Sequence, residues 1–383
     1  MWALITLHVI CSCFIVWSLF GYYIFFFIIS LFKVKKEGCD TYEPHISIIV
    51  PCYNEEKYIV SKIENLKLQD YPLDKVEFIF VDGGSRDKTI QYIEENIKFN
   101  SNFKLIQSPE KGKINQINYV LPSVKGEIII ITDVDGIMKY DCIRHIVSEF
   151  SGDNNIGVVG AYVYPEHSIP IESCYWDAQN KGRFLESDAF TSSFVIAVCY
   201  AFKKGFLYKF PEDVVADDIY IAYWANTLGY NVLFSRKAIV AEIRTPKNYS
   251  DFFSHKFRKA NAFLRENLRF LYRLPEMRNF WKIIYMTKVI QLSLLPWLNV
   301  VWCFLALSLI TLWRYDVVFW ETVCIMLFFI LTSLTFKLVK LPLRREHYNF
   351  KLLAQNYICT TFILLATGFT YPFFTQSSSY RKI

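Results

Sequence analysis

The stretch Glu127-Ile128-Ile129-Ile130-Ile131-Thr132-Asp133-Val134-Asp135-Gly136 decides the fold. Four consecutive isoleucines are typical of a strand buried on both faces, as the central strands of parallel sheets are. The run ends at Asp133 and Asp135, and ligands of open α/β sheets gather at the carboxyl ends of strands. Two carboxylates there repel unless a cation lies between them, and Mg²⁺ or Mn²⁺ bound to substrate phosphates suits oxygen ligands. The alternative is a polar turn that closes the strand, because Asp and Gly are common turn residues.

The segments around this strand alternate between short apolar runs and amphipathic stretches. Such alternation with tight loops predicts a doubly wound, mostly parallel α/β sheet whose strand ends meet at one edge. The expected strands are Ile46–Val50, Val76–Val81, Phe103–Ile106, Ile156–Val163, Phe194–Phe202, Val232–Phe234 and Ala238–Ile243. The expected helices are Glu56–Leu68, Ile90–Ile97, Lys113–Leu121 and Asp217–Leu228, and the segment Trp176–Asp188 is polar and aromatic.

The composition indicates a membrane protein. Hydrophobic residues make up 53% of the 383 residues, aromatic residues make up 18%, and the mean hydropathy is +0.22. Four apolar runs are long enough for the about 20 residues that a helical crossing needs. They are Ile5–Phe32, Val289–Leu312, Val317–Phe336 and Leu352–Phe374. The first run is longer than the apolar core of a signal peptide and lacks a small-residue cleavage site.

Two basic clusters predict the orientation of the chain. The first is Lys33-Val34-Lys35-Lys36, and the second holds Lys337, Lys340, Arg344, Arg345 and Lys351. Basic loops stay in the cytoplasm, and both clusters place the globular domain there. The chain is therefore expected to be integral to the cell membrane, with membrane lipids and no nucleic acid among its partners. The ten cysteines lack metal-ligand spacing and are expected to be reduced.

The stretch Tyr249–Arg273 alternates aromatic with basic residues and is typical of an amphipathic helix in a membrane interface. A helix packed on the globular domain is the alternative. The expected division is a membrane helix over 1–36, an α/β domain over 45–248, interfacial helices over 249–286, and three membrane helices over 287–383.

Further candidate site residues follow the same logic of polar groups at strand ends. Asp82 follows a buried strand and could accept a hydrogen bond from the N–H of a uracil ring, or could instead stabilise a turn. Gly83 and Gly84 allow a backbone to approach a ligand closely. Lys113, at the start of a helix, could meet a phosphate. Asn118 lies on the same helix, and Lys111 just before it.

Asp217 and Asp218 form a second acidic pair between apolar residues. Asp217 could cap the following helix, which would leave Asp218 free to face the cavity. A carboxylate kept from water there could take a proton from an attacking hydroxyl. Arg258 could stabilise a diphosphate leaving group as it gains negative charge.

These residues together resemble the family 2 inverting glycosyltransferases with a GT-A fold. The resemblance covers about residues 46 to 260, and the ordered set is far more specific than any single motif. The matching motifs are Pro51-x-Tyr53-Asn54-Glu55, Val81-Asp82-Gly83-Gly84-Ser85-x-Asp87-x-Thr89, Gly112-Lys113 with Asn118, Thr132-Asp133-Val134-Asp135 and Ala216-Asp217-Asp218. One leading and three trailing membrane helices also resemble the chitin-oligosaccharide and hyaluronan synthases and ceramide glucosyltransferase.

The resemblance implies a role for each matching residue. Asp82 would contact the base of a UDP-sugar, with the loop of Tyr53, Asn54 and Glu55 beside it. Asp133 and Asp135 would hold the UDP-sugar, with Asp135 reaching the Mg²⁺ or Mn²⁺ ion on the diphosphate. Asp218 would be the general base of a single displacement that inverts the anomeric carbon.

The family's Gln-x-x-Arg-Trp motif is only partly present, since His255 replaces the glutamine and Lys259 the tryptophan. That tryptophan lies by the acceptor in processive synthases, and its absence argues against long-chain synthesis. The expected function is transfer of a sugar to a growing β-linked glycan. The alternatives are a single addition to a lipid acceptor, such as a polyprenyl phosphate or a glycolipid, or a transporter or scaffold with a degenerate transferase domain.

Overall fold

The computed structural model describes residues 1–33, 38–343 and 350–373. The strands are β1 (Ile46–Cys52), β2 (Val76–Asp82), β3 (Phe103–Gln107), β4 (Ile128–Thr132), β5 (Gly136–Met138), β6 (Ile156–Pro165), β7 (Cys199–Lys203) and β8 (Asn231–Glu242). The helices of the globular domain are α2 (Ile59–Lys67), α3 (Thr89–Ile97), α4 (Lys113–Val120), α5 (Cys142–Gly152), α6 (Pro170–Ala189), α7 (Asp217–Thr227) and α8 (Tyr249–Arg269). The long apolar helices are α1 (Trp2–Ser30), α9 (Asn279–Thr311), α10 (Tyr315–Leu338) and α11 (Lys351–Phe373).

The strands form one mixed sheet in the order β3-β2-β1-β4-β7-β6-β8-β5. Strands β3, β2, β1 and β4 are parallel, while β7 runs antiparallel to both β4 and β6. Every residue of β1 and β4 is buried, as the isoleucine run predicts. The carboxyl ends of β1, β2 and β4 therefore lie at one edge of the sheet, where the predicted site residues begin.

Three predicted elements differ from the structure. Residues 194–198 form a loop rather than a strand, because their backbone groups bind residues outside any strand pairing. The Ala197 N–H donates to the Asp218 carboxylate at the start of α7. The Val198 carbonyl accepts from the Asp133 N–H and from the Thr132 hydroxyl. Only Cys199–Lys203 pairs as a strand.

The two short strands predicted after residue 231 are one strand, β8, whose register with β6 shifts between Ala161 and Tyr162. The polar, aromatic segment Trp176–Asp188 belongs to the 20-residue helix α6. Most of α6 is buried, so its polar residues are partners inside the protein and not the surface of a loop.

Four helices are long and apolar enough to cross a membrane, as the sequence predicts. Helix α9 begins at Asn279, ten residues before the predicted start, and bends through a π-helical turn at Ile290–Leu294. Of the basic clusters, Lys33, Lys337 and Lys340 lie within the described residues, whereas Lys35, Lys36, Arg344 and Arg345 lie outside them.

Polar contacts tie the globular domain to the long helices. The carboxylate of Glu186 on α6 accepts from the Tyr22 hydroxyl of α1 at 2.7 Å and pairs with Lys288 of α9 at 2.8 Å. Gln291 of α9 donates to the Ser18 carbonyl of α1 at 2.7 Å, so this polar group bonds a neighbouring helix. Helix α8 packs through Phe252 and Ala260 on α6 and α11. The domain and helices thus share one core.

Candidate active site

The two aspartates that follow β4 lie in a network of charged side chains. Lys113 Nζ is 2.9 Å from Asp133 and 3.1 Å from Asp217, so one lysine bridges two of the predicted acids. Arg244, which follows β8, pairs with Glu55 and lies 3.4 Å from Asp135. The structure therefore brings together residues that are up to 189 positions apart in the chain.

Asp135 carries the clearest electrostatic signature of this pair. Burial and then the neighbouring Asp133 carboxylate raise its pKa to about 6, while Arg244 opposes both. The carboxylate is thus mostly ionised at neutral pH and half protonated about one pH unit lower.

A buried lysine lies under the aspartates. Lys62 of α2 is fully buried and donates to the Thr132 hydroxyl at 2.8 Å and to the Gly136 carbonyl at 2.5 Å. Burial lowers its pKa to about 8, while nearby Cys199, Asp133 and Asp135 favour the charged form. Sequence reasoning missed Lys62, although a lysine between Ile59, Ile63 and Leu66 on the apolar face of a helix was a signal that could have revealed it.

Asp217 and Asp218 open α7, where Asp218 accepts from the Ile219 N–H at 3.0 Å and Asp217 does not cap the helix. The N-cap position is Ala216 and makes no side-chain cap bond, so the predicted capping role of Asp217 is wrong. Asp217 is instead held by the Tyr200 hydroxyl at 2.7 Å and by Lys113. Two charged or polar donors at its carboxylate are a stronger interaction than a cap.

Asp218 faces the loop before β7 and accepts from the Ala197 N–H at 3.1 Å. Burial raises its pKa to about 6, with a further increase from Asp217, while Lys113 and Lys259 lower it. A carboxylate with this pKa is ionised at neutral pH and can still hold a proton, which is the property a general base requires.

Asp82 is fully buried at the end of β2 and is engaged within its own turn. One oxygen accepts from the N–H groups of Gly84 and Ser85 at 2.8 and 2.9 Å, and the other accepts from the Ser85 hydroxyl at 2.5 Å. The turn needs a positive φ of 84° at Gly84, which favours glycine. This arrangement is the turn-stabilising role that was the alternative for Asp82.

The loop after β1 is clamped to the Asp82 turn. The N–H of Asn54 donates to the Ser85 hydroxyl at 2.8 Å, and the Asn54 side chain accepts from the Arg86 N–H. Tyr53 is half-buried with Lys111 Nζ 6.0 Å from its ring centroid. Tyr53 and Lys111 thus lie beside the turn, while Pro51 is buried within β1 and supports the loop from below.

Asn118 is bound to backbone rather than aimed into the cleft. Its amide nitrogen donates to the Phe210 carbonyl and its amide oxygen accepts from the Phe210 N–H, both at 2.8 Å. Both polar groups of the side chain are used, so Asn118 fixes the segment that leads to Asp217 and Asp218.

Basic residues of α8 complete the site. Arg258 is exposed, and the carboxylates of Asp133 and Glu242 favour its charged form, although partial desolvation lowers its pKa. His255 is buried beside Lys259, Lys256 and Arg258, and burial followed by these cations lowers its pKa far below the ordinary value. His255 is therefore neutral and cannot serve as a cation toward a diphosphate.

The donor set fits a hard cation. Asp133 and Asp135 supply carboxylate oxygens. The described residues contain no group of three or more His, Cys, Asp or Glu that could enclose a metal, so the protein would supply only these two ligands. A Mg²⁺ or Mn²⁺ ion held by one or two carboxylates keeps the remaining positions for water and substrate phosphate. Mutual repulsion between the two aspartates, seen in the raised pKa of Asp135, is what such an ion would relieve.

One acidic pair follows β4 and a second opens α7. A mixed α/β sheet with acidic pairs at these two places is the arrangement of the GT-A glycosyltransferases. Residues 47–210 match the model of glycosyl transferase family 2. Residues 47–210 are thus a family 2 glycosyltransferase domain, and the predicted family and fold are confirmed.

Relatives and a solved structure agree with this assignment. One relative is a dolichyl N-acetyl-alpha-D-glucosaminyl phosphate 3-beta-D-2,3-diacetamido-2,3-dideoxy-beta-D-glucuronosyltransferase of Methanococcus voltae. The two chains are 32% identical over 107 residues, and the match covers 27% of this chain and 33% of the relative. This chain is 22% identical over 276 residues to a poly-beta-1,6-N-acetyl-D-glucosamine synthase of Staphylococcus epidermidis, which covers 70% and 65%. The first of these matches thus spans about a third of the relative's length.

The mannosyltransferase PcManGT of Pyrobaculum calidifontis, solved with GDP-Man and Mn²⁺, has a similar fold. The TM-score is 0.73 at 21% identity, and the match covers 97% of this chain and 99% of that one. The likeness extends over the long helices as well as the sheet and supports the fold of the whole chain.

Proposed function

We propose that the chain is a membrane-embedded inverting glycosyltransferase that moves a sugar from a UDP-sugar to an acceptor hydroxyl. The observation that carries this proposal is the half-buried Asp218, whose pKa is raised to about 6 and which shares Lys113 with Asp217 and Asp133 in one electrostatic network. A poised base and an acidic pair in one cleft are the two parts that a displacement at an anomeric carbon requires.

The donor half of the cleft consists of Asp133, Asp135, Lys113 and Arg244. Asp133 and Asp135 would hold a divalent cation, which when bound neutralises charge on the donor diphosphate. Arg258 lies exposed within the field of Asp133, where a guanidinium can hydrogen-bond phosphate oxygens as negative charge develops on the leaving group. Tyr53 and the Asp82 turn, at the edge formed by β1 and β2, would contact the nucleotide base.

Asp218 acts on the acceptor. Its carboxylate takes the proton of the attacking hydroxyl while the new bond to the anomeric carbon forms on the face opposite the diphosphate, which gives inversion. The Ala197 N–H orients the carboxylate, and Tyr200 and Lys113 keep Asp217 occupied. Asp217 and Asn118 are positioning residues in this scheme.

The membrane orientation rests on how the helices meet the domain. The Lys340 carbonyl accepts from Arg236 at 2.9 Å and the Phe336 carbonyl accepts from Lys181 at 2.6 Å, so α10 ends at the domain. Lys337 and Lys340 therefore lie on the domain side, and their charge favours the cytoplasm. A cytoplasmic domain has access to nucleotide-sugar donors.

The acceptor is either a growing glycan or a lipid. The names of the relatives include both a polysaccharide synthase and an enzyme acting on a dolichyl phosphate-linked sugar. Lys259 stands at the position of the tryptophan of processive synthases, which favours few additions over a long polymer.

The test is release of nucleoside diphosphate by purified protein in detergent with Mn²⁺ or Mg²⁺. The donor panel holds UDP-glucose, UDP-GlcNAc, UDP-glucuronic acid and GDP-mannose. Asp218→Asn should lower transfer by about 10²–10⁴-fold with little change in donor binding, because only the base is lost. The matched control is Asp213→Asn, an exposed carboxylate five residues earlier that pairs with Arg269.

Mass spectrometry of the product separates the acceptors, since a ladder indicates a polymer and one mass step indicates a single addition. Absence of release with every donor, or full activity in Asp218→Asn, would contradict the proposal and would favour a transporter or a degenerate transferase.

A further inference from the structure

A cavity of about 180 Å³ lies where the globular domain meets the long helices. Its walls come from α1, α6, α8, α9 and α11, and all five helices contribute polar groups. Representative lining residues are Ser18, Gln179, Lys259, Gln291, Ile363 and Thr360. Pockets for whole small molecules are larger, about 300–1,000 Å³, so this one suits a headgroup rather than an entire lipid.

Three lysines line the cavity, and two of them are neutralised within the protein. Lys256 pairs with Glu172 at 2.9 Å, and Lys288 pairs with Glu186 at 2.8 Å. Both pairs are buried. Lys259 differs, because no carboxylate of the described residues lies within 4.0 Å of it, and its contact is the Trp176 ring at 5.2 Å. The cavity therefore carries one positive charge that the protein does not balance with an ion pair.

A second cation without a carboxylate within 4.0 Å among the described residues lies near the same Trp176 ring. The Arg183 guanidinium is buried 5.7 Å from the centroids of Trp176, Phe194 and Phe234, and it donates to Asn180 at 3.3 Å. Among the described residues its Nε has no hydrogen-bond partner. Burying a cation without an anion is costly, so an arrangement of this kind favours a site that takes an anion from outside.

The cavity adjoins the catalytic base. Lys259 is one of the two cations that lower the pKa of Asp218, and the lining residue Phe194 is three residues before Ala197, whose N–H binds that carboxylate. The lining also includes Leu19, Leu292, Leu295 and Leu364, on helices long enough to span a membrane. The cavity thus combines polar residues near the chemistry with apolar residues suited to hydrocarbon.

We propose that this cavity binds the phosphate of a lipid-linked sugar acceptor, with Lys259 as its principal cation, the sugar directed to Asp218 and the hydrocarbon tail between the long helices. The proposal rests on the proposed function, because it names the acceptor of that reaction. A phosphate is the anion that matches a lysine at a membrane-level opening, and a neutral glycan would leave the charge of Lys259 uncompensated.

The chemical step leaves the lipid phosphate intact. The oxygen of the acceptor sugar hydroxyl forms a bond to the anomeric carbon of the donor, and the bond from that carbon to the diphosphate oxygen breaks. The hydroxyl proton passes to Asp218, and the nucleoside diphosphate leaves with the electron pair. Lys259 only holds the phosphate and is a binding residue.

Binding is measured without turnover, by native mass spectrometry of the purified full chain in neutral detergent. The probes are geranylgeranyl phosphate, geranylgeraniol and inorganic phosphate. The wild-type chain should bind the lipid phosphate at least about tenfold more tightly than the alcohol, since a charge-assisted contact contributes about 1.5–3 kcal/mol. Lys259→Gln should lose most of that preference, Lys259→Arg should keep it, and the exposed Lys139→Gln should not change it.

Donor binding by the same chains separates this inference from the proposed function. Mn²⁺-dependent binding of UDP or GDP should be unchanged in Lys259→Gln, which also shows that the variant is folded. Equal binding of lipid phosphate and alcohol would overturn the inference, as would an unaffected preference in Lys259→Gln. Binding of inorganic phosphate as tightly as the lipid phosphate would overturn the lipid assignment. Loss of donor binding in the wild-type chain would instead count against the proposed function.

Discussion

Asp218 is the residue whose ionisation should set the pH dependence of transfer. Its pKa is raised to about 6, chiefly by burial and then by Asp217, and only the carboxylate form accepts a proton from the acceptor. We therefore expect kcat/KM to fall about tenfold per pH unit below pH 6 and to level off above it. The measurement is a pH profile at a donor concentration well below KM.

The control for this profile is Asp213→Asn, which should retain the break near pH 6 because Asp213 is exposed and pairs away from the cleft. A break near pH 4 in the wild-type profile would indicate an ordinary solvent-exposed carboxylate, and would remove Asp218 from the role of base.

Lys62 should matter for stability more than a lysine on the same helix. Lys62→Met leaves the Gly136 carbonyl without its donor and removes a cation that lies near Asp133 and Asp135. We expect the free energy of unfolding to fall by about 1–3 kcal/mol, the cost of an unsatisfied buried group. Thermal unfolding in detergent measures it.

The exposed Lys67, paired with Glu64 at 2.7 Å, supplies the matched control on α2. Lys67→Met should change stability by under about 0.5 kcal/mol. Equal effects of the two substitutions would show that burial of the Lys62 ammonium does not contribute as described.

The acidic residues expected at strand ends lie at the edge of the sheet where the sequence placed them. The basic residues that contact them could not be predicted from the sequence. Asp133, Asp135, Asp217 and Asp218 could be predicted because acids directly after apolar runs are conspicuous. Lys62 and Arg244 escaped notice, because a single lysine or arginine is ordinary until the tertiary fold brings it beside a carboxylate. Pairing across 189 positions has no local signal.

At the scale of elements, the edge of the sheet depends on one side chain of α4. Gln116 is fully buried, and its amide donates to the carbonyls of Cys52 and Val81 at 2.6 and 2.7 Å, at the ends of β1 and β2. A Cβ at Gly83 would come within 2.8 Å of this amide. The amide thus joins the ends of β1 and β2, beside the backbone bond from the Gly83 N–H to the Cys52 carbonyl, and fixes the start of the donor edge.

Gln116→Leu should therefore lower the free energy of unfolding by about 1–3 kcal/mol, since the Val81 and Cys52 carbonyls each lose the amide as a donor while Cys52 keeps the Gly83 N–H. Donor affinity should fall as well, because the Asp82 turn begins at this point. Chemical denaturation and titration with UDP measure the two effects. The control is Asn115→Ala, which removes an exposed amide that donates to the Lys111 carbonyl. It should have little effect on stability or on UDP affinity. Similar losses in Asn115→Ala and Gln116→Leu would contradict the role of Gln116.

Elements with regular periodicity were predicted well, and those whose backbone binds side chains were not. Strands β1, β2, β3 and β4 could be predicted from continuous apolar runs. The loop 194–198 is equally apolar, yet its N–H and carbonyl groups serve Asp218 and Thr132 and not a neighbouring strand. Apolar composition reports burial and does not report what the backbone hydrogen-bonds to.

At the scale of the whole molecule, the long helices are joined by a polar cluster away from the domain. Glu321 of α10 accepts from Ser12 of α1 and lies 2.8 Å from His8, and Trp302 of α9 donates to Ser12 at 2.8 Å. The cluster connects three helices through groups that have few other partners in an apolar setting.

Glu321→Leu should weaken this packing by about 1–2 kcal/mol, because interhelical hydrogen bonds in membranes contribute about 0.6–2 kcal/mol each. The midpoint of thermal unfolding in detergent should fall, while nucleotide binding at the distant cleft should persist. Asp316→Asn, at the exposed start of the same helix, is the control and should leave the midpoint unchanged; an unchanged midpoint in Glu321→Leu as well would refute the role of the cluster.

The long helices could be predicted from composition, whereas the polar contacts between them and the globular domain could not. Four apolar runs predicted four long helices, and all ten cysteines are free thiols, as expected. The charged cavity between domain and helices could not be foreseen, because Lys256, Lys259 and Lys288 come from two helices whose faces are set only by packing.

The contact of Glu186 with Tyr22 and Lys288 has a consequence for biosynthesis. The ribosome makes the three residues of this contact far apart in time. Tyr22 belongs to α1, and Lys288 is made more than 260 residues later. The sheet can form while the chain is still being made, but the carboxylate of Glu186 gains its cation only once α9 has been made and has packed against the domain. A chain stalled before that helix would hold a folded sheet with an unneutralised buried acid, a state that quality-control proteases could distinguish from the finished protein.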